Sequence, residues 1–396
     1  MLFLSNCSED EPTPPGKKLA LTFLPEGLSP TAEIYVTDPD GKLLESEKVN
    51  GQITFFNTNE AAPYYDLTII DLISADSYAI KTYQQVPSSS YFIKNNAPTT
   101  VAGLHRISFP AVANYNNFNI QSEHLKAILP VSATEFDLQL TQAKSDLFLT
   151  LEKDDSGTPS YLVVQQAEVG KTTVIDEVTL NKFTTMTAKL INSAQSLTDN
   201  YHYRVYGNLS ESRQLSVSSY DPDISNLPSS VNFYYPASPS IFTNFTTHIN
   251  FEITKGNYLS TVTQIQTGLV PSETEDQLDI QLTSYNDASG TYQFVLAGNA
   301  EWTHVQLQAS EGNKNIQWDV YTPFRVQNSI EVPDFLISYL NGKQFTFANQ
   351  MKFKLIESGN DAATLSYDDF LRLELKKDGT QPQIKNRFIT GYQLPQ

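Results

Sequence analysis

The sequence predicts an all-β chain built from tandem β-sandwich domains. Short stretches of alternating apolar and polar residues recur about every 8–12 residues, with Asp, Gly, Asn, Ser and Pro between them, which is the signature of stacked antiparallel sheets. Tyr (21) and Phe (22) are abundant, and aromatic rings suit a pleated, half-buried surface. A helical period is nearly absent. At 396 residues the chain is long enough for about two to four domains.

The elements follow in order. Residues 8–18 are rich in Pro, Gly and charge and read as a linker. Four alternating segments come next: Ala20 to Leu24, Ala32 to Thr37, Gly51 to Phe56 and Tyr65 to Ile70. Asp38-Pro39-Asp40-Gly41 is a tight turn, since Pro presets φ and Gly accepts a positive one. Further strands are expected at His105 to Phe109, Phe136 to Leu140, Leu147 to Leu151, Tyr161 to Val164, Tyr203 to Tyr206 and Val231 to Tyr234. Others are expected at His248 to Phe251, Leu278 to Leu282, Tyr292 to Leu296 and Leu371 to Leu375. Residues 181–193 fit a short helix or a strand equally. Boundaries near residues 96 and 210 divide the body into β-sandwiches at 19–96, 97–210 and 211–396, the last with room for two.

The order of strand, DPDGK turn, strand, NGQITF strand and YDLTIID strand over residues 19–85 resembles the prealbumin-like and carboxypeptidase-regulatory-like sandwiches. That resemblance implies immunoglobulin-like or prealbumin-like packing for the first domain.

Cys7 is the only cysteine. Leu4 and Ser5 stand three and two residues before it, and Ser8, Glu9, Asp10 and Glu11 follow it. Leu4-Ser5-Asn6-Cys7 resembles the lipobox that ends a bacterial lipoprotein signal peptide, although Asn6 replaces the usual small residue. The acidic run after it resembles the surface-export signal of Bacteroidota lipoproteins. The resemblance implies that residues 1–18 are the end of a signal peptide plus a tether. Cys7 would then carry the acyl chains, and the protein would sit on the outer membrane, facing outward. The alternative is a free cysteine in a frayed terminus. Stable anchoring needs more than one acyl chain, which triacylation provides.

The remaining chemistry is largely negative. A net charge of −18 and a pI near 4.6 oppose contact with phosphate backbones, so nucleic acid is not an expected partner. A single cysteine rules out intrachain disulfides and Cys-based zinc sites in the body. No hydrolase, P-loop or dinucleotide motif is present. The five histidines show no ligand spacing, and surface positions are expected for those in strands. No metal and no cofactor are expected.

The strand Glu301 to Leu307 places Val305 and Leu307 on one face and Trp302, His304 and Gln306 on the other. An aromatic plate beside hydrogen-bonding side chains is how β-sandwich modules hold a sugar, so these three are the candidate ligand-binding residues. The alternative is that Trp302 packs under a loop or a neighbouring domain. Trp318, alternating with Ile316 and Val320, reads as core. The expected function is a non-enzymatic surface lipoprotein that binds a glycan or protein ligand, or serves as an accessory or scaffold subunit. A surface glycoside hydrolase or other carboxylate-based hydrolase is one alternative. An adhesion or structural envelope protein is another.

Overall fold

A computed structural model describes residues 18–23, 32–48, 53–57, 64–87, 90–93, 100–109, 115–153, 159–190, 197–210, 213–220, 230–236, 242–255, 258–268, 273–274, 278–288, 290–346, 350–360, 366–375 and 386–394. The chain is all-β, with stacked sheets and, among the described residues, two short α-helices, α1 (Asp334–Gly342) and α2 (Tyr367–Leu375). Among the described residues no helix is long and apolar enough to cross a membrane.

One twelve-stranded sheet organises the molecule. From edge to edge its strands are Arg213–Tyr220, Leu197–Ser210, Asn244–Lys255, Tyr258–Thr267, Asn386–Gln393, Lys352–Asn360, Trp302–Glu311, Lys314–Pro323, Ser77–Pro87, Tyr64–Ser74, Glu33–Thr37 and Leu43–Lys48. Neighbours are antiparallel except at one seam, where Lys314–Pro323 runs parallel to Ser77–Pro87 with Trp318 opposite Ile80. This sheet therefore runs across the boundaries expected near 96 and 210. Alternation in the sequence identifies a strand, but says nothing about a partner more than 200 residues away.

One face of the long sheet is the main core. At one end Val305, Leu307, Trp318 and Ile356 pack with Tyr292, Phe294 and Leu296 of a three-stranded sheet and with Leu336 and Leu340 of α1. The i, i+4 spacing of those leucines gives this helix its buried stripe. Trp318 is 1% exposed, and its indole N–H donates to Thr82 Oγ1 at 2.9 Å. At the other end Tyr203, Val205, Ile249 and Phe251 face Phe183, Val231 and Phe233 of a six-stranded sheet. A further core forms where Leu147, Leu149 and Leu151 meet Ile107 and Leu138 of a four-stranded sheet.

The segment Leu371 to Leu375 is helical, which corrects the strand expected there. Its Ser366-x-x-Asp369 start is a capping signal, with the Ser366 N–H and hydroxyl both donating to Asp369 Oδ2, at 3.0 and 3.2 Å. Phe370, Leu371 and Leu375 then bury together against Ile34, Val36, Leu67, Tyr83 and Trp302. Thus α2 covers part of the second face of the long sheet. Much of the rest of that face is polar, with Leu259 and Ile265 among the exceptions.

Two hairpins carry the same irregularity. In Tyr64–Ser74 with Ser77–Pro87, the register shifts at Asp66, and Gln85 adopts φ 55° with its N–H donating to Asp66 Oδ1 at 2.9 Å. In Lys144–Lys153 with Ser160–Glu168, the register shifts at Asp146. Gln166 there adopts φ 53°, with its N–H donating to Asp146 Oδ1 at 2.7 Å. Each is a β-bulge pinned by an aspartate across the ladder.

Candidate functional site

Trp302, His304 and Gln306 share one face of their strand, and that is the second face of the long sheet. The open stacking plate expected at Trp302 is not there. The ring is only 3% exposed and stacks on Phe370 of α2 at 4.8 Å. The Arg387 guanidinium lies over its ring at 5.8 Å. The ring lies across the next strand because Gly359 stands beside it, where a Cβ would collide with the indole. A glycine inside a strand often marks such a close approach.

His304 is 8% exposed, against the surface position expected of it. Its Nδ1 lies 2.9 Å from Glu357 Oε2, its Nε2 lies 3.0 Å from Asp319 Oδ1, and its ring stacks on Tyr321 at 4.5 Å. Gln306 and Gln317 also donate to Asp319, at 3.0 and 2.9 Å. Glu357 leans over Gly391, where a Cβ would meet its side chain at 3.0 Å. Burial alone would push the imidazole down. The two carboxylates outweigh it and lift His304 to about 9. Burial alone would push Asp319 up, but the donors from His304, Gln306 and Gln317 hold it below the usual carboxylate range. The arrangement is an imidazolium clamped between two carboxylates, with both ring nitrogens occupied. It joins three strands and offers no free acid or base.

His105 is also buried, at 1% exposure. Its ring nitrogens reach the Glu168 carbonyl at 2.7 Å and Thr173 Oγ1 at 3.0 Å. Among the described residues no group of three or more His, Cys, Asp or Glu side chains is arranged to hold a metal. Cys7, Ser8, Glu9, Asp10 and Glu11 lie outside the described residues.

The same polar face carries a pocket of about 470 Å³ at the far end of the sheet, lined by His202, Arg204, Tyr206, Ser219, His248 and Asn250. Strand register builds it. Arg204 stands opposite His248 on one side and Ser219 on the other, and His202 stands opposite Asn250. Directly opposed side chains lie about 5 Å apart and point the same way. The odd-numbered neighbours Tyr203, Val205, Ile249 and Phe251 are buried in the core beneath, which fixes the floor. The Tyr206 and His248 rings lie 4.5 Å apart at 55°. Burial first, then Arg204 and Arg387, push His248 down to about 4, so its ring is neutral near pH 7.

The sequence alone does not show this pocket, because His202 and His248 stand on strands whose pairing it does not give. The available signal was two strands of matching alternation, His202-x-Arg204-x-Tyr206 and His248-x-Asn250, whose polar positions fall on one face once the strands pair. No protein-family model matches the chain, and no curated protein matches it.

Proposed function

We propose that this chain is a lipid-anchored protein of the Bacteroidota surface type that binds an extracellular ligand on the polar face of its long sheet. The observation that carries the reading is the pocket around Arg204 and His248. It is polar, open to solvent and mounted on adjacent strands whose opposite sides are locked in a core. A site on rigid strands needs little ordering when a ligand arrives. The buried His304 bridge, by contrast, acts in folding. Anchoring rests on the Cys7 sequence and on the acidic run Glu9-Asp10-Glu11. A glycan is the favoured ligand because amide, hydroxyl, imidazole and phenol groups suit sugar hydroxyls.

Two measurements test the parts separately. In cell fractionation, Cys7→Ala should move the protein out of the membrane fraction, and Glu9, Asp10 and Glu11 replaced together by Ala should keep it there while abolishing protease access on intact cells. Membrane retention of Cys7→Ala would overturn the anchor. On an array of soluble glycans, the double variant Arg204→Ala, His248→Ala should lose the signal of the parent chain with an unchanged circular dichroism spectrum. An unchanged array profile would overturn the pocket as the binding site.

A further inference from the structure

We propose that the pocket lined by Arg204, His248, Asn250, Tyr206, His202 and Ser219 is a receptor for a carboxylate-bearing sugar. This inference rests on the binding role proposed above and adds the ligand's charge and class.

The charge argument starts from a contrast. The chain carries 44 acidic and 26 basic residues, and two of its other solvent-facing arginines are paired with carboxylates. Arg106 forms a two-point pair with Asp137, at 2.8 and 3.0 Å, and Arg372 meets Asp368 and Asp369. Arg204 is exposed, lines the pocket and makes no ion pair with any described residue. The charges felt by His248 are those of Arg204 and Arg387, both positive. Among the described residues the charges acting on the pocket's centre are thus positive, on an acidic protein.

The geometry narrows the anion. A single guanidinium fork matches one planar carboxylate with two parallel hydrogen bonds. A densely charged polyanion would pay the repulsion of the surrounding −18 charge, whereas a chain of spaced charges with one carboxylate held at the pocket's centre pays less of it. The other lining groups are neutral hydrogen-bonding side chains, namely Asn250, Ser219, Tyr206 and the neutral imidazole of His248. They suit the hydroxyls of a ring that carries one carboxylate. A hexuronate within a glycan and a free sugar acid share this chemistry. The open side of the pocket favours a residue in a chain.

A bound carboxylate must also change His248. The groups facing it are Arg204, His202 and Tyr206 from Leu197–Ser210, Glu252 and Asn250 on its own strand, and Arg387 from Asn386–Gln393. Tyr258–Thr267 contributes only Thr261, Thr263 and Ile265. A negative charge on Arg204 screens the strongest local cation and favours the protonated ring. Burial is the larger cause that holds His248 down, and Arg204 is the next, so a carboxylate on Arg204 relieves the second and should shift the His248 ring signals on binding.

The test uses the full chain with three probes at pH 7: unesterified trigalacturonate, its methyl ester and free galacturonate. Calorimetry gives affinities, and histidine NMR follows the His248 ring. Trigalacturonate should bind, the methyl ester should bind at least about tenfold more weakly, and Arg204→Ala should lose about tenfold or more. Arg204→Lys should recover only part, because the ammonium lacks the fork. Arg106→Ala, outside the pocket, should bind as the parent does. Free galacturonate binding as tightly as the trimer would assign the site to a free sugar acid, with the carboxylate receptor intact. Equal affinity for the methyl ester would overturn the carboxylate claim and leave the binding role standing. Absence of binding by all three, or full binding by Arg204→Ala, would overturn the inference outright.

Discussion

Replacing His304 with Gln removes the cation between Asp319 and Glu357, and the size of its effect should depend on pH in a fixed direction. In the folded chain the imidazole is raised from 6.5 to about 9. In the unfolded chain it titrates at its ordinary value. A raised folded pKa stabilises fully below about 6.5, and that contribution is lost as pH climbs through the folded value. At 1.36 kcal/mol per pH unit, the bridge contributes about 3 kcal/mol that disappears between pH 6.5 and 9. The group is 8% exposed, so solvent screening takes little from this figure. Urea unfolding of parent and His304→Gln should therefore show a gap that is widest at pH 6 and narrows by about 3 kcal/mol by pH 9.5. Removing one partner of a buried charged cluster costs about 3–5 kcal/mol in general, which bounds the gap at its widest. Histidine NMR checks the cause directly, because the His304 ring should titrate well above the others. A gap independent of pH, or a His304 ring titrating at its ordinary value, would refute the imidazolium bridge.

Other outcomes follow from the same face. Trp302→Ala should cost about 3–5 kcal/mol of stability, and Gly359→Ala about 1–3 kcal/mol by overpacking, because a new Cβ drives the indole off Phe370. Thermal melts decide this, and an unchanged melting temperature in Trp302→Ala would mean that the ring is not core. At the first bulge, Asp66 accepts the Gln85 N–H from a largely buried position. Burial raises Asp66 to about 6, so its ionisation opposes folding as pH rises from 3.8 toward 6. Asp66→Asn keeps the acceptor for the Gln85 N–H, and should stabilise the chain by up to about 3 kcal/mol at pH 7 and by little at pH 4. A gain in Asp66→Asn that is the same at pH 4 and pH 7 in urea melts would break the argument.

The fold class was legible because alternation is a local property, and the core under Val305, Leu307 and Trp318 follows from it directly. The face shared by Trp302, His304 and Gln306 was legible for the same reason. What covers that face was not. The decisive residues are Phe370, Leu371 and Leu375, which lie about 70 positions away and whose alternation fits a strand as readily as a helix. The Ser366-x-x-Asp369 cap favours the helix, and once α2 exists Trp302 has a lid, with the Tyr367 hydroxyl donating to the Gln84 and Tyr321 carbonyls at 2.7 and 3.0 Å. One misread element thus turns a buried ring into an apparent sugar platform. The twin bulges teach the converse. Asp66-Leu67 with Gln84-Gln85, and Asp146-Leu147 with Gln165-Gln166, recur at spacings of 19 and 20 residues. Nothing in the composition marks them, because a positive φ at glutamine is unusual and no propensity predicts it. The shared pattern becomes meaningful only when the ladder shows each aspartate holding the bulge opposite. The Arg204 pocket belongs to the same class of information. Its side chains come from three strands, and only the pairing of those strands converts scattered polar positions into a positive site on an acidic protein.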